Sequence, residues 1–267
     1  MLRKLLKYEF KSTGRTFFVV YVVMAALSIL TGAMDRVNSS FDEEVLPLWM
    51  ILMLLTAMFF AAAAVITAVL NINRFYKGLF KDEGYLVHTL PVRPWQIIAA
   101  KLIPAVVWTI ATMAVMMVSM IMMMVFSTAL TGVDWGGFFS SLGYVLSRLD
   151  FADISGVLQI LLMLLILLVG TILQVYASLS VGQLFPRHRV AWSVAAWFVL
   201  GSVQSVAMNL LDWLETTFVL KDASMLELTF SGNFDLGFAI AMIYYLIWCA
   251  AFWAITQLVL SRGLNLE

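Results

Sequence analysis

Six windows of this chain carry no Lys, Arg, Asp or Glu: residues 17–34, 45–73, 102–133, 154–186, 190–211 and 236–261. Within them apolar residues run continuously and do not alternate with a period of two. A membrane β-strand would alternate, so the windows read as helices. A helix needs about 20 residues to cross the hydrocarbon core, and a charge held at its centre costs roughly 2.5–3.5 kcal/mol. The pattern therefore predicts an all-α polytopic membrane protein forming one transmembrane domain over 1–267. Its spans fall at 17–34, 45–70, 102–126, 154–184, 190–211 and 237–260.

The segments between the spans have patterns of their own. In residues 1–16, Leu2, Leu5, Leu6 and Phe10 mark one helical edge and Lys4, Lys7 and Lys11 recur on the other. That spacing predicts an interfacial helix with its cations among lipid headgroups, turning into the membrane at Gly14. The connection 71–101 is far longer than the few residues that join neighbouring helices. Its Phe75, Tyr76, Leu79 and Phe80 share one helical face, Asp82 and Glu83 follow, and Gly84 suits a helix stop. Pro91 and Pro94 break what comes next, and Pro94 suits the first turn of the following helix. The short amphipathic helix so defined either docks a partner or rests on lipid. Segment 127–153 carries Trp135, Phe138, Phe139, Leu142, Leu146 and Leu149 at helical spacing, and 212–236 is an acidic segment; both fall on the outer side.

Composition and charge sharpen this picture. Of the residues, 63% are hydrophobic and 12% charged, too few charges for a soluble surface or a disordered chain. Sixteen basic residues balance sixteen acidic ones, so no basic excess points to nucleic acid. With six spans, thirteen of the Lys and Arg residues fall on the side of the two termini, leaving Arg36, Arg148 and Lys221 opposite. The positive-inside rule then places both termini in the cytoplasm of a cell membrane. The first window reads as a retained span, because Glu9 interrupts the basic start and no small-residue cleavage site follows Leu30.

Catalytic chemistry is hard to find. No Gly-Lys dipeptide occurs, hence no phosphate-binding loop; there is no His-Glu-x-x-His and no Gly-x-Ser-x-Gly. The reading is a non-enzyme with no cofactor or metal of its own. The single cysteine, Cys249, is a packing residue. No charge lies inside a span to relay protons, which disfavours a gradient-coupled carrier. Gln174, Ser178 and Gly182 recur every fourth residue on one face, either packing helices together or lining a substrate pathway. The methionines of 113–124 form an adaptable apolar surface.

Three stretches carry a resemblance: the opening Leu5-Leu6-Lys7-Tyr8-Glu9-Phe10-Lys11, the run Asp82-Glu83-Gly84-Tyr85-Leu86 into Thr89-Leu90-Pro91-Val92, and Tyr176-Ala177-Ser178-Leu179-Ser180-Val181-Gly182-Gln183-Leu184-Phe185. In their order the chain resembles the membrane subunit of bacterial ABC-2-type transporters. The resemblance implies an elbow helix at 1–16 and a coupling helix at 74–84, fitted into a groove of a separate cytoplasmic ATPase that carries the ATP and magnesium. Arg74, Phe75, Tyr76, Lys77, Leu79, Phe80, Lys81, Asp82, Glu83 and Gly84 would then form the coupling element, with Lys77, Lys81, Asp82 and Glu83 as its polar contacts. It also implies a second permease copy, as homodimer or related heterodimer, and export, but it does not carry over a substrate. The uncharged, Met- and aromatic-rich spans themselves suggest an amphipathic peptide, drug or lipid as cargo. The alternatives are a stand-alone transport protein or channel, and a non-transporting scaffold or sensor subunit.

Overall fold

The computed structural model describes residues 2–40, 46–80, 94–128, 136–137, 140, 143–144, 151–185, 187–218 and 236–262. Six helices hold most of them: α1 (Leu2–Ser40), α2 (Leu46–Phe80), α3 (Pro94–Thr128), α4 (Phe151–Gly182), α5 (Arg189–Phe218) and α6 (Leu236–Arg262). There is no strand among the described residues. Each helix is long and apolar enough to cross a membrane, and the fold is that of a multi-pass, all-helical membrane protein. Outer faces carry large apolar side chains, such as Leu54, Met58, Leu158, Leu161 and Phe198, in the open. Buried positions are rich in Thr, Ser and Ala. Lipid is as apolar as leucine, so these helices associate through close packing and hydroxyl bonds.

Four helices, α1, α2, α3 and α5, run well past the spans expected from the sequence. The elbow at 1–16 and the first span are one uninterrupted helix, with no break at Gly14. Glycine inside a helix costs only about 1 kcal/mol, and the stripe Thr13, Phe17, Met24, Ser28 and Thr31 is buried along the length of α1. That packing outweighs the local preference to turn. Helix α2 likewise continues through Phe80, so residues 74–80 are its last two turns. Helix α5 extends beyond Leu211 to Phe218, carrying Asp212 and Glu215. Helix α3 begins at Pro94, where a missing N–H costs nothing, and passes through Pro104, where Ala100 loses its helical donor.

The chain divides into two compact units, Met1–Arg74 with Ile103–Gly143, and Phe75–Leu102 with Tyr144–Glu267. In the first, α1, α2 and α3 are joined by polar contacts along their length. Arg74 Nη1 donates to Glu9 Oε2 at 2.8 Å and to the Glu9 carbonyl at 2.9 Å. Asn71 Nδ2 donates to Thr109 Oγ1 at 3.1 Å. The Thr112 hydroxyl lies 2.9 Å from that of Tyr21 and 3.1 Å from that of Thr67. The Thr31 and Thr56 hydroxyls meet at 2.6 Å, and Ser127 donates to Asp35. Trp108 stacks on Phe17 at 4.6 Å, with Phe10 and Tyr21 tilted against it. Gly32 brings α1 so near α3 that a Cβ there would collide with the Met123 carbonyl oxygen.

In the second unit α4 packs against both α5 and α6. A Cβ on Gly182 would sit 2.7 Å from the Ser193 Cα, so α4 and α5 touch backbone to backbone there. Tyr244 of α6 donates to the Gln204 carbonyl of α5 at 2.5 Å. Cys249 of α6 approaches the Ile166 carbonyl of α4 at 3.7 Å. The amides of Gln183, Leu184 and Phe185 bond back three residues, closing the end of α4. His188 takes the left-handed conformation, φ 58°, and its carbonyl accepts from Trp192 N at 3.1 Å to start α5.

Candidate functional site

The segment singled out by the sequence falls at the end of α2. Of its ten residues, Arg74, Phe75, Tyr76, Lys77, Leu79 and Phe80 are described; Lys81, Asp82, Glu83 and Gly84 lie outside the described residues. The face expected to dock or to meet lipid is divided. Phe75 and Leu79 are fully buried, Arg74, Tyr76 and Phe80 are half-buried, and Lys77 is exposed. Phe75 and Leu79 fall four residues apart and continue the buried positions Ala63 and Thr67 of the same helix. The helix holds its inner stripe in register past the apolar run, so Phe75 and Leu79 serve packing.

Phe75 packs on α4. Its ring lies 3.8 Å from that of Tyr176, 9° from parallel, with Phe80 edge-on at 5.9 Å. Tyr176 is itself buried, and its hydroxyl donates to the Lys101 carbonyl of α3 at 3.3 Å. The Lys101 side chain crosses α2, since a Cβ on Gly78 would lie 2.5 Å from Lys101 Nζ. The last two turns of α2, the first turns of α3 and the last two turns of α4 thus meet in one junction, with Ile97 and Ile98 of α3 also buried. Residues 81–93, which join α2 to α3 in sequence, lie outside the described residues.

At the same end of α2, in the first unit, Arg74 holds Glu9. The carboxylate and guanidinium are each about one-fifth exposed (20% and 21%), so water only partly weakens the pair. Thr13 Oγ1 donates to the Glu9 carbonyl at 2.5 Å, giving that oxygen a second donor beside Arg74.

The second group foreseen from the sequence lies on the α4–α5 seam or beside it. Gln174 Nε2 reaches the Trp197 carbonyl at 3.4 Å, and Gly201 approaches the same nitrogen. Gly182 rests on Ser193. Ser178 is buried and donates to the Val175 carbonyl of its own helix at 2.8 Å. Two buried donors, Trp108 Nε1 and Gln183 Nε2, have no hydrogen-bond partner among the described residues. No group of three or more His, Cys, Asp or Glu comes together there.

Sequence reasoning missed the partners Glu9, Gly78, Lys101 and Tyr176. Glu9 reads locally as an interruption in a basic flank, and Tyr176 as one aromatic residue in a long span. Nothing local pairs residues so far apart in the chain. Compared with known proteins, the chain matches no family model, no curated protein and no solved structure.

Proposed function

We propose that this chain is the membrane subunit of an ATP-binding-cassette exporter of the ABC-2 type, moving an amphipathic peptide, drug or lipid with energy from a separate ATPase. Two permease copies, each with an ATPase bound at its cytoplasmic face, form the working assembly in a cell membrane. The observation that carries this reading is the second connection. A long charged segment follows α2, matches the family's motif at Asp82-Glu83-Gly84 and Thr89-Leu90-Pro91, and is entered through a helix end that extends past the apolar run. A connector alone would need only 2–8 residues. The basic bias puts that segment and both termini on the cytoplasmic side.

Function then follows from leverage. Lys77 is exposed at the entry to the segment, and Lys81, Asp82 and Glu83 offer the ATPase both signs of charge at short range. Closure of the ATPases on ATP displaces the segment, and the rigid helix ends carry the displacement into the spans. Cargo contact at Gln174 or Gly182 would require parting the α4–α5 seam. A Met-rich, uncharged set of spans suits apolar or amphipathic cargo of variable shape.

The test is co-expression with a phosphate-loop ATPase. Wild-type chain is expected to retain the ATPase through affinity purification and to sustain its hydrolysis. The pair Asp82→Lys and Glu83→Lys should lower retention at least tenfold. Undiminished retention and transport would overturn the docking assignment. Cargo movement in liposomes by this chain alone, without nucleotide, would favour a stand-alone transporter. An ATPase that binds and hydrolyses while no cargo moves would favour a scaffold or sensor.

A further inference from the structure

Resting on the reading that residues 81–93 receive the ATPase's push, we propose that Tyr176 is the positioning residue through which that push enters α4, taken up by Phe75 from α2 and by the Lys101 carbonyl from α3. The 81–93 segment hangs from two helix ends, and both belong to the same compact unit as α4. Phe75 lies at the end of α2 and Lys101 in the first turns of α3, and the two reach the same α4 side chain by different means. The first lays a ring flat on Tyr176 at 3.8 Å; the second accepts its hydroxyl proton at 3.3 Å.

The junction transmits in more than one direction. Near-parallel rings at that separation resist compression, and a sideways slide uncovers both faces. The hydroxyl bond opposes withdrawal of α3 from α4. Phe75 and Tyr176 are both buried, so no water layer separates the surfaces. Six residues further along α4, Gly182 sits backbone to backbone on Ser193. A displacement of α4 at Tyr176 is therefore handed to α5 with little loss, and the α4–α5 hairpin moves together. A segment tied only by flexible surface chains would dissipate the same push.

The experiment uses the full chain, with Cys249→Ser, co-purified with its ATPase in nanodiscs. A bimane label is placed at Phe198→Cys, on the exposed side of α5. Wild type should show an emission change between the nucleotide-free state and ATP with vanadate. Tyr176→Leu should reduce that change at least fivefold, while ATPase retention and the hydrolysis rate stay within twofold. Tyr176→Phe, which keeps the ring and loses the hydroxyl, should restore at least half of it. That graded rescue is a result that loss of folding would not produce. Equal thermal unfolding midpoints of the two variants would confirm that both fold. A full emission change in Tyr176→Leu, with the ATPase bound, overturns the link while the ABC-2 reading stands. If wild type retains no ATPase, the ABC-2 reading falls and takes the link with it.

Discussion

At the residue scale, single side chains hold the helices in register where the sequence shows only flanks and runs. Glu9 looks like an acidic stray in a basic stretch, yet it receives Arg74 at 2.8 Å. Asp35, at the far end of the same helix, receives Ser127 of α3. The two acids lie 26 residues apart, about 39 Å along a helix, close to the full thickness of a bilayer with its headgroups. Gly14 lies between Glu9 and the first buried aromatic residue of α1, and it allows a test of whether α1 is continuous. An alanine Cβ there would stand 3.7 Å from the Trp108 indole, its nearest neighbour, at an ordinary contact distance. Gly14→Ala is expected to raise stability by up to about 1 kcal/mol, seen as a higher unfolding midpoint in detergent. A chain that bent sharply at Gly14 would lose stability instead.

At the element scale, the spacing of charges located six helices because lipid forbids charge over a fixed length. That rule is long-range, physical and independent of partners. A separate and local constraint, proline's fit to a helix's first turn, pointed to Pro94 at the start of α3. What the charge pattern could not locate were helix ends outside the apolar runs. Residues 2–16 and 74–80 are polar enough to read as separate surface pieces, but Thr13 in the first and Phe75 and Leu79 in the second are buried in register with the adjoining spans. The junction at Tyr176 was illegible for the same reason: its three contributors are adjacent only after folding. Glycine contacts between elements are likewise invisible in one dimension, and they are demanding. An alanine at Gly32 would drive its Cβ into the Met123 carbonyl oxygen of α3, and one at Gly182 to 2.7 Å from backbone atoms of α5. Gly32→Ala and Gly182→Ala are each expected to cost about 1–3 kcal/mol, measured by thermal unfolding. Gly156→Ala, with nothing within 4 Å, should cost nothing.

At the scale of the whole molecule, six helices are long and apolar enough to cross a membrane, and the proposed topology, in which all six cross, predicts residues 1 and 267 on one side. Tags on the first and last residues of intact cells or oriented vesicles should be shielded together from an external protease. A cysteine introduced at position 43 or 222, in a Cys249→Ser chain, should react with an impermeant maleimide from outside. Opposite accessibility of the two ends would remove one crossing and the proposed orientation with it. The path by which such a molecule could change shape is narrowed by Pro104. Its ring deprives the Ala100 carbonyl of a partner inside α3, one residue before the carbonyl that takes the Tyr176 hydroxyl. A rod with one rung missing yields there first, so α3 is softest beside the joint that must bear load. Its remaining length, bonded turn after turn, can be carried along stiffly.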